Sequence, residues 1–464
     1  MSIRPVADAR FDFEADISVV GGGCAGLIAA MAARESGAEV VVFERDPVTR
    51  GSTALSSGLI PAAGTRLQRD AGIADSPELL AADIRKKARN EIDEVVVRAV
   101  AEAVGPAIDW LMERHAVPFS LVEGFQYPGL SVQRMHGTPK RTGEELMDHL
   151  YRAATNAGVD VLTDARAEWL YCEGERVRGL CVVRPDGSSE DVASKALVLA
   201  CCGFGGNRAM VQRYIPIIAD APFMGHTGNE GHGILWGEAL GGELRHMGAF
   251  QGHGSVAIPY NIGISWAIMM SGGIQVNALG ERFANEHRGY SEQAVDVLRQ
   301  PGGYAFDIYD ERCHRIATEM GHYRDAVAAG AIRTGATAAE LGSTLGLPAG
   351  ALERTLANAL SFAAGSADPL GRDFTTRAEL KPPYYAVKVT GGLYHTQGGL
   401  AVDGEGRVIR RAGGVLPNLF AAGGSACGVS GPADWGYLAG NGLLLAVALG
   451  RLAGTAAAKL VTAG

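Results

Sequence analysis

Residues 16–45, "DISVVGGGCAGLIAAMAARESGAEVVVFER", set the pattern on which the rest of the chain builds. The apolar run ending at Val19 and Val20 predicts a buried strand, the glycines a turn, and the alanine-rich stretch a helix. A second apolar run closed by Glu44 predicts a second strand. Gly21, Gly23 and Gly26 fall in G-x-G-x-x-G spacing, and an acidic residue about 20 positions later completes a dinucleotide-binding fingerprint. Gly21 permits the tight turn, Gly23 lets a pyrophosphate approach the backbone, and Gly26 lets helix and strand pack closely. The helix N-terminus faces the phosphates, and Glu44 is placed to accept ribose hydroxyls.

Further along, "PELLAADIRKKARNEIDEVVVRAVAEAVGPAIDWLMERH" (77–115) has helical periodicity interrupted near Asn90 and Gly105, which predicts two or three helices. Alternating segments from about 160 to 202 predict strands, the last running into Gly203, Gly205 and Gly206, as a parallel strand does where it meets a ligand. Residues 245–390 are more aromatic and polar, with short mixed elements, as in a second domain inserted into the first. "NLFAAGG" (418–424) then returns as a buried strand, and "GYLAGNGLLLAVALGRLAGTAAAKL" (436–460) predicts a long apolar helix opening at a Gly/Asn turn. The fold class is α/β: a Rossmann-like nucleotide domain with an inserted α+β cap. The expected division is 1–240 and 391–464 for the first and 241–390 for the second.

Composition narrows the function classes. At 464 residues the chain exceeds a single compact core, and its 64 glycines cluster after apolar runs, where they mark turns. A net charge of −9 opposes a nucleic-acid footprint. No membrane span is expected, and "MSIRPVADARFDFEAD" has no apolar signal core. Seven cysteines without an even framework, Cys201 and Cys202 adjacent, fit a reducing compartment and a cytoplasmic location. No metal site is expected.

Several motifs together resemble the fumarate reductase/succinate dehydrogenase flavoprotein superfamily, which includes the 3-ketosteroid dehydrogenases. They are the fingerprint with Glu44, "GSTALSSG" (51–58), "RMHGTPKRTGEEL" (134–146), "ACCGFGGN" (200–207) and "TGNEGHGILWGEALGG" (227–242). "NALGERFANE" (277–286), "GGLYHTQGGLAVD" (391–403), "LFAAGG" and "AGNGLLLAVALGRLAG" (439–454) complete the set, so the resemblance covers nearly the whole chain. It implies FAD, lying extended across the nucleotide domain with the cap over its ring. Contacts to FAD are implied at Gly21, Gly23, Ala25, Gly26, Glu44 and Arg45, and at Ser52, Thr53, Ser57 and Gly58. Ala167, Gly203, Asn207, Gly423, Gly424, Asn441, Leu443 and Leu444 complete them. Relatives with covalent flavin carry His where Ser52 aligns, so FAD is expected to be non-covalent. Cys24 reads as small filler and His136 as a packed or polar loop residue.

Arg282-Phe283 and Asn285-Glu286 look like a structural clamp, and Tyr290 follows eight residues after Arg282. Fumarate reductase-like enzymes use a donor arginine, a second arginine gripping a carboxylate, two histidines and a Glu–Arg relay. His253 and His395 occupy the histidine positions; the relay falls at Trp266 and Met269, the donor at Tyr290, and the gripping arginine at Tyr437. Tyrosine at both places is what the ketosteroid dehydrogenases resemble. Tyr290, Tyr437, His395 and His253 are therefore the candidate catalytic residues, with Gly440, Gly442 and Trp435 against the substrate. A tyrosine serves as base only if tuned downward, or if it acts through the enolising carbonyl.

The implied reaction is FAD-dependent α,β-desaturation of a ketone: a proton leaves the α carbon and hydride goes from the β carbon to flavin N5. The substrate is expected to be a small-molecule cyclic ketone, such as a cyclohexanone derivative, or a 3-ketosteroid. If His253 or His395 is charged near neutral pH, a distant carboxylate on the substrate is tolerated or preferred. A fumarate-reductase-like enoate reductase and a non-catalytic flavin-binding protein are the alternatives. The electron acceptor is external, since no haem or iron–sulfur motif accompanies the fingerprint.

Overall fold

Strand Phe11–Val20 lies between two parallel partners, Val40–Phe43 and Ser189–Leu199, in a nine-stranded sheet. Residues 2–123, 126–376 and 378–463 are those described by the structure, a computed structural model. Asp160–Leu162 extends the parallel set beyond Val40–Phe43, and Val415–Ala421 adds to it against the end of Ser189–Leu199. The register sets Leu162, Phe43, Val20, Leu199 and Ala421 in one row. Five parallel strands therefore release their chains at the same edge, which is where open α/β sheets bind ligands. Glu44 stands one residue beyond its strand, at that edge.

Two helices close one face of this sheet, Cys24–Glu35 and Asn441–Thr462. Glycine sets their separation: a Cβ on Gly454 would stand 2.0 Å from the Ala29 carbonyl oxygen, and one on Gly450 2.7 Å from that of Ala25. By length and composition alone Asn441–Thr462, the long apolar helix expected here, could cross a membrane, with a mean hydropathy of 1.6. Two thirds of that window (67%) is buried inside the protein, and its apolar length is used in helix packing.

Residues 77–115 form two helices, Pro77–Lys87 and Glu94–His115. The break near Asn90 is present, with Arg89 and Asn90 both at positive φ. The expected break at Gly105 is absent. Gly105 is there because a Cβ would stand 2.2 Å from the Ala63 carbonyl oxygen, so a loop crosses the helix at that point.

A second, six-stranded sheet is antiparallel and centred on Tyr384–Thr396. Phe250–Ala257 pairs with it so that Gln251 faces His395 and His253 faces Gly392. Helix Tyr290–Leu298 lies on these two strands, pressed close by glycines: a Cβ on Gly391 would stand 2.3 Å from the Ala294 carbonyl oxygen, and one on Gly252 2.7 Å from that of Ser291. The fold class is thus the one read from the sequence, and it brings the first residue of that helix, Tyr290, over the edge of the parallel sheet. All seven cysteines are unpaired.

Candidate active site

A cavity of about 520 Å³ runs from the parallel strand ends to the second sheet. At its first end Gly21 turns the chain at φ 105, and a Cβ there would stand 2.5 Å from the Ala200 carbonyl oxygen. Gly26 is tighter still, at 1.9 Å from the Gly21 carbonyl oxygen, so it packs behind the wall. Gly23 has nothing within 4 Å of a Cβ position, and helix Cys24–Glu35 starts there without a side-chain cap. Open space in front of an uncapped helix N-terminus suits a pyrophosphate. Glu44 accepts the N–H of Gly22 at 2.8 Å and that of Asp46 at 3.0 Å, which aims its carboxylate into the cavity. Burial raises its pKa, and the two N–H groups oppose the shift. Arg45, beside it, donates to the Gly228 carbonyl at 3.2 Å. These features fit the ribose and phosphates of FAD.

Ala25, Ser52, Thr53, Ser57, Gly58, Ala167, Gly423, Gly424, Gly440, Gly442 and Leu443 line the same cavity. The Ser52 hydroxyl accepts the His226 N–H at 2.9 Å and an Asn229 amide N–H at 2.7 Å, which pins the 51–58 loop beside the strand ends. Other expected contacts do not reach the cavity surface. Gly203 packs against Thr396, whose Oγ1 would stand 2.0 Å from a Cβ. Asn207 caps helix Arg208–Tyr214, accepting from the Met210 N–H at 3.1 Å, because a side chain at that turn satisfies the helix end first. Leu444 is buried in the helix interface, and Asn441 turns its amide to Ser430 at 3.0 Å. Trp435 does not wall the pocket; it lies under the Arg89 guanidinium, 4.3 Å from the ring centroid.

The other end of the cavity is aromatic. Tyr290 and Tyr437 face each other with ring centroids 6.0 Å apart. Burial raises the pKa of both; the neighbouring Tyr437 raises Tyr290 further, while the polar surroundings of the Tyr437 hydroxyl partly oppose its rise. His253 lies against Tyr290 at 5.0 Å and Tyr394 at 5.3 Å, with Trp266 edge-on at 5.7 Å. Its Nδ1 accepts the Ser255 N–H at 3.1 Å. Burial pushes both His253 and His395 down to about 4. Both rings are neutral at pH 7, which corrects the expectation that one of them could carry charge there. The relay positions hold no proton carrier: the Trp266 indole donates to the Glu286 carbonyl at 3.1 Å, and Met269 is buried.

Tyr127 and Tyr394 also line this end and were not singled out in the sequence. Tyr127 sits 6.4 Å from Tyr290, and burial pushes its hydroxyl up to about 12. Its loop carries no periodic signal. Tyr394 adjoins His395 in a motif that was read, and strand pairing to the His253 strand is the signal that places it. Among the described residues no group of three or more His, Cys, Asp or Glu is arranged to hold a metal ion.

A family model described as "FAD binding domain" matches residues 16–443, so the chain belongs to that family, and its cofactor is FAD. The chain is 31% identical to the NADH:fumarate oxidoreductase of Klebsiella pneumoniae over 96% of its own length, spanning 48% of that protein. To the cytochrome-type fumarate reductase of Shewanella frigidimarina it is 30% identical, covering 96% of this chain and 77% of the relative. It is 26% identical to the 4-oxocyclohexanecarboxylate 2-dehydrogenase of Sinomonas cyclohexanicum, over 88% of this chain and 87% of that one. Among solved structures, an open flavocytochrome c3 fumarate reductase superposes with a TM-score of 0.81 at 28% identity, over 98% of this chain and 80% of the other. The 3-ketosteroid-Δ4-(5α)-dehydrogenase of Rhodococcus jostii gives 0.78 at 28%, over 99% and 100%. The protein is an FAD-dependent oxidoreductase of the fumarate reductase/ketosteroid dehydrogenase superfamily.

Proposed function

We propose that this member of the FAD binding domain family desaturates a cyclic ketone between the carbons α and β to its carbonyl. One observation carries the reading: at this end of the cavity, the two positions where fumarate reductase-like enzymes resemble each other in arginine hold Tyr290 and Tyr437, whose rings face each other 6.0 Å apart. A dianion there would meet phenols and neutral imidazoles. The arginines that line the cavity are elsewhere engaged: Arg45 and Arg166 flank the Glu44 end, and Arg141 is tied to the carbonyls of Ser120, Gly137 and Leu121.

Bound FAD supplies the hydride acceptor. Tyr290, Tyr437 and the backbone at Gly440 and Gly442 supply what α-proton removal needs: donors for a carbonyl oxygen as it enolises, and an oxygen to take the proton. Burial holds both phenols above the ordinary tyrosine value, so neither is a base tuned downward, and proton removal here acts through the carbonyl as it enolises. The box of Tyr127, Trp266, Tyr394 and His253 around this pair suits a flat apolar ring. In this reading residues 241–390 act as the cap over the substrate. Similarity to a dehydrogenase of 4-oxocyclohexanecarboxylate supports a cyclohexanone-type substrate.

Anaerobic stopped-flow absorbance of the flavin tests the proposal. Cyclohexanone-type ketones or 3-ketosteroids are expected to bleach the oxidised protein, and fumarate is expected to leave the reduced protein reduced. Rapid reoxidation by fumarate with no bleaching by any cyclic ketone would transfer the protein to the enoate reductases.

A further inference from the structure

His395 reaches the cavity wall near the end of strand Tyr384–Thr396, and three buried side chains stand behind it. Asn441 donates from Nδ2 to Ser430 Oγ at 3.0 Å, Ser430 donates to Gln397 Oε1 at 2.9 Å, and Gln397 Nε2 meets His395 Nδ1 at 2.8 Å. Asn441 and Ser430 are fully buried and Gln397 is 3% exposed, so no solvent competes for these bonds.

The direction of the chain follows from what each group can give. A serine hydroxyl that accepts an amide N–H has its single proton left for the next acceptor, which turns the Gln397 carbonyl toward Ser430 and its NH₂ toward the imidazole. Reversing every member would exchange the two ends of the Asn441 amide. At present its Oδ1 is the buried atom without a partner; reversed, an NH₂ would take that place, and buried orphan donors are rarer than under-satisfied carbonyls. An imidazole whose Nδ1 accepts is neutral and carries its proton on Nε2. That nitrogen shares a hydrogen bond with Cys202 Sγ at 3.6 Å, a weak acceptor for its proton, and is 2.9 Å from the Cβ position of Gly424, both on the cavity wall. Gly442, at the start of the helix whose N-terminus lies here, has its Cβ position 3.9 Å from both atoms of the Gln397–His395 bond.

We propose that Gln397, backed by Ser430 and Asn441, is a positioning residue that locks His395 as the Nε2–H tautomer, so that His395 serves the cavity as a single hydrogen-bond donor and does not accept the substrate's proton. Proton removal then falls to the tyrosine pair. Burial acts in the same direction, because it disfavours the charged ring. The assignment holds for CH–CH chemistry in either direction and does not depend on the substrate being a ketone.

The test uses holoenzyme with ¹⁵N-labelled histidine rings, and a His395→Gln variant to identify the His395 signals. Wild type is expected to show Nε2–H and a bare Nδ1, with no titration near the ordinary histidine value of about 6.5. Gln397→Glu keeps the side-chain size and replaces the amide donor with an acceptor. It is expected to move the proton to Nδ1 and to raise the titration toward or above about 6.5. Gln397→Leu is expected to yield a mixture of tautomers, and Ser430→Ala a partial loss of the Nε2–H form. Flavin absorbance of each variant reports retained folding. A wild-type spectrum with Nδ1–H overturns the proposal on its own, as does a His395 pattern identical in wild type, Gln397→Glu and Gln397→Leu. A wrong substrate class leaves these spectra untouched, so the two readings fail separately.

Discussion

Tyr290 and Tyr437 meet across the cavity with their rings 6.0 Å apart at 61°, one from the N-terminus of a helix on the second sheet and the other from the turn that precedes the C-terminal helix. Their ring contact bridges the second sheet and the C-terminal helix across the cavity. Chemistry that requires both hydroxyls therefore requires both elements in place.

Phenylalanine at either position keeps the ring and removes the oxygen. Tyr290→Phe and Tyr437→Phe are expected to bind FAD as wild type does and to lose about 10²–10⁴-fold in the rate of flavin reduction by a true substrate. Near wild-type reduction in both variants would show that the tyrosines only pack.

The cofactor prediction rests on Gly23, Glu44 and Ser52. The purified protein is expected to be yellow and to release free FAD on acid precipitation. Glu44→Ala is expected to bind FAD more weakly, read by flavin fluorescence on dilution, since it removes the carboxylate held by the Gly22 and Asp46 N–H groups. A colourless protein that takes up no FAD contradicts the site.

Neutral histidines change what the substrate gains from a charge. With His253 and His395 both pushed to about 4, a carboxylate distant from the ketone finds no imidazolium at pH 7. A neutral 4-alkylcyclohexanone is expected to reduce the flavin with a KM within about tenfold of its 4-carboxylate analogue, a difference of about 1.4 kcal/mol. A much larger preference for the carboxylate would require a cation that these two residues do not provide.

His136 makes acid destabilising. It is buried between the Thr65 hydroxyl at 2.8 Å and the Arg134 carbonyl at 2.9 Å, and burial pushes its pKa down to about 4. The unfolded chain, with an ordinary value of about 6.5, binds the extra proton first. Stability is therefore full above about 6.5 and falls as pH drops toward about 4, by about 3 kcal/mol for this residue. Thermal melts across that range check it: His136→Gln is expected to have a shallower loss of Tm with acid, and an unchanged slope refutes the assignment.

The motif before Tyr290 is a buried ion cluster. Arg282 grips Glu286 at 2.9 and 2.7 Å and Asp368 at 3.0 Å, and Arg372 adds a second cation at 3.0 Å from Glu286; against burial, the two guanidiniums hold that carboxyl down to about 2. Arg282→Ala takes the cation from buried Asp368 and leaves Glu286 with Arg372 alone, and is expected to cost about 3–5 kcal/mol in denaturant unfolding. A loss below about 1 kcal/mol would mean that the cluster rearranges without cost.

What the sequence determined by itself was local or register-bound. The strand, glycine turn, helix and Glu44 follow one another within 30 residues, so their periodicity and spacing already specify the nucleotide end. The resemblance to fumarate reductase-like enzymes, carried by His253 and the 277–286 motif, aligned Tyr290 where those enzymes have the donor arginine. Tertiary structure decided the rest, because burial and partner choice depend on residues distant in the chain. Asn207 and Trp435 look like site residues in sequence, yet one caps a helix and the other stacks on Arg89. Tyr127 carries no pattern of its own and Gln397 is unmarked within the 391–403 motif; Tyr127 lines the cavity, and Gln397 backs His395, only once loop 126–130 and strand Tyr384–Thr396 fold against the C-terminal helix and its turn. The charge of His253 and His395 was not legible at all: desolvation is a sum over everything packed around a ring, and no stretch of sequence contains that sum.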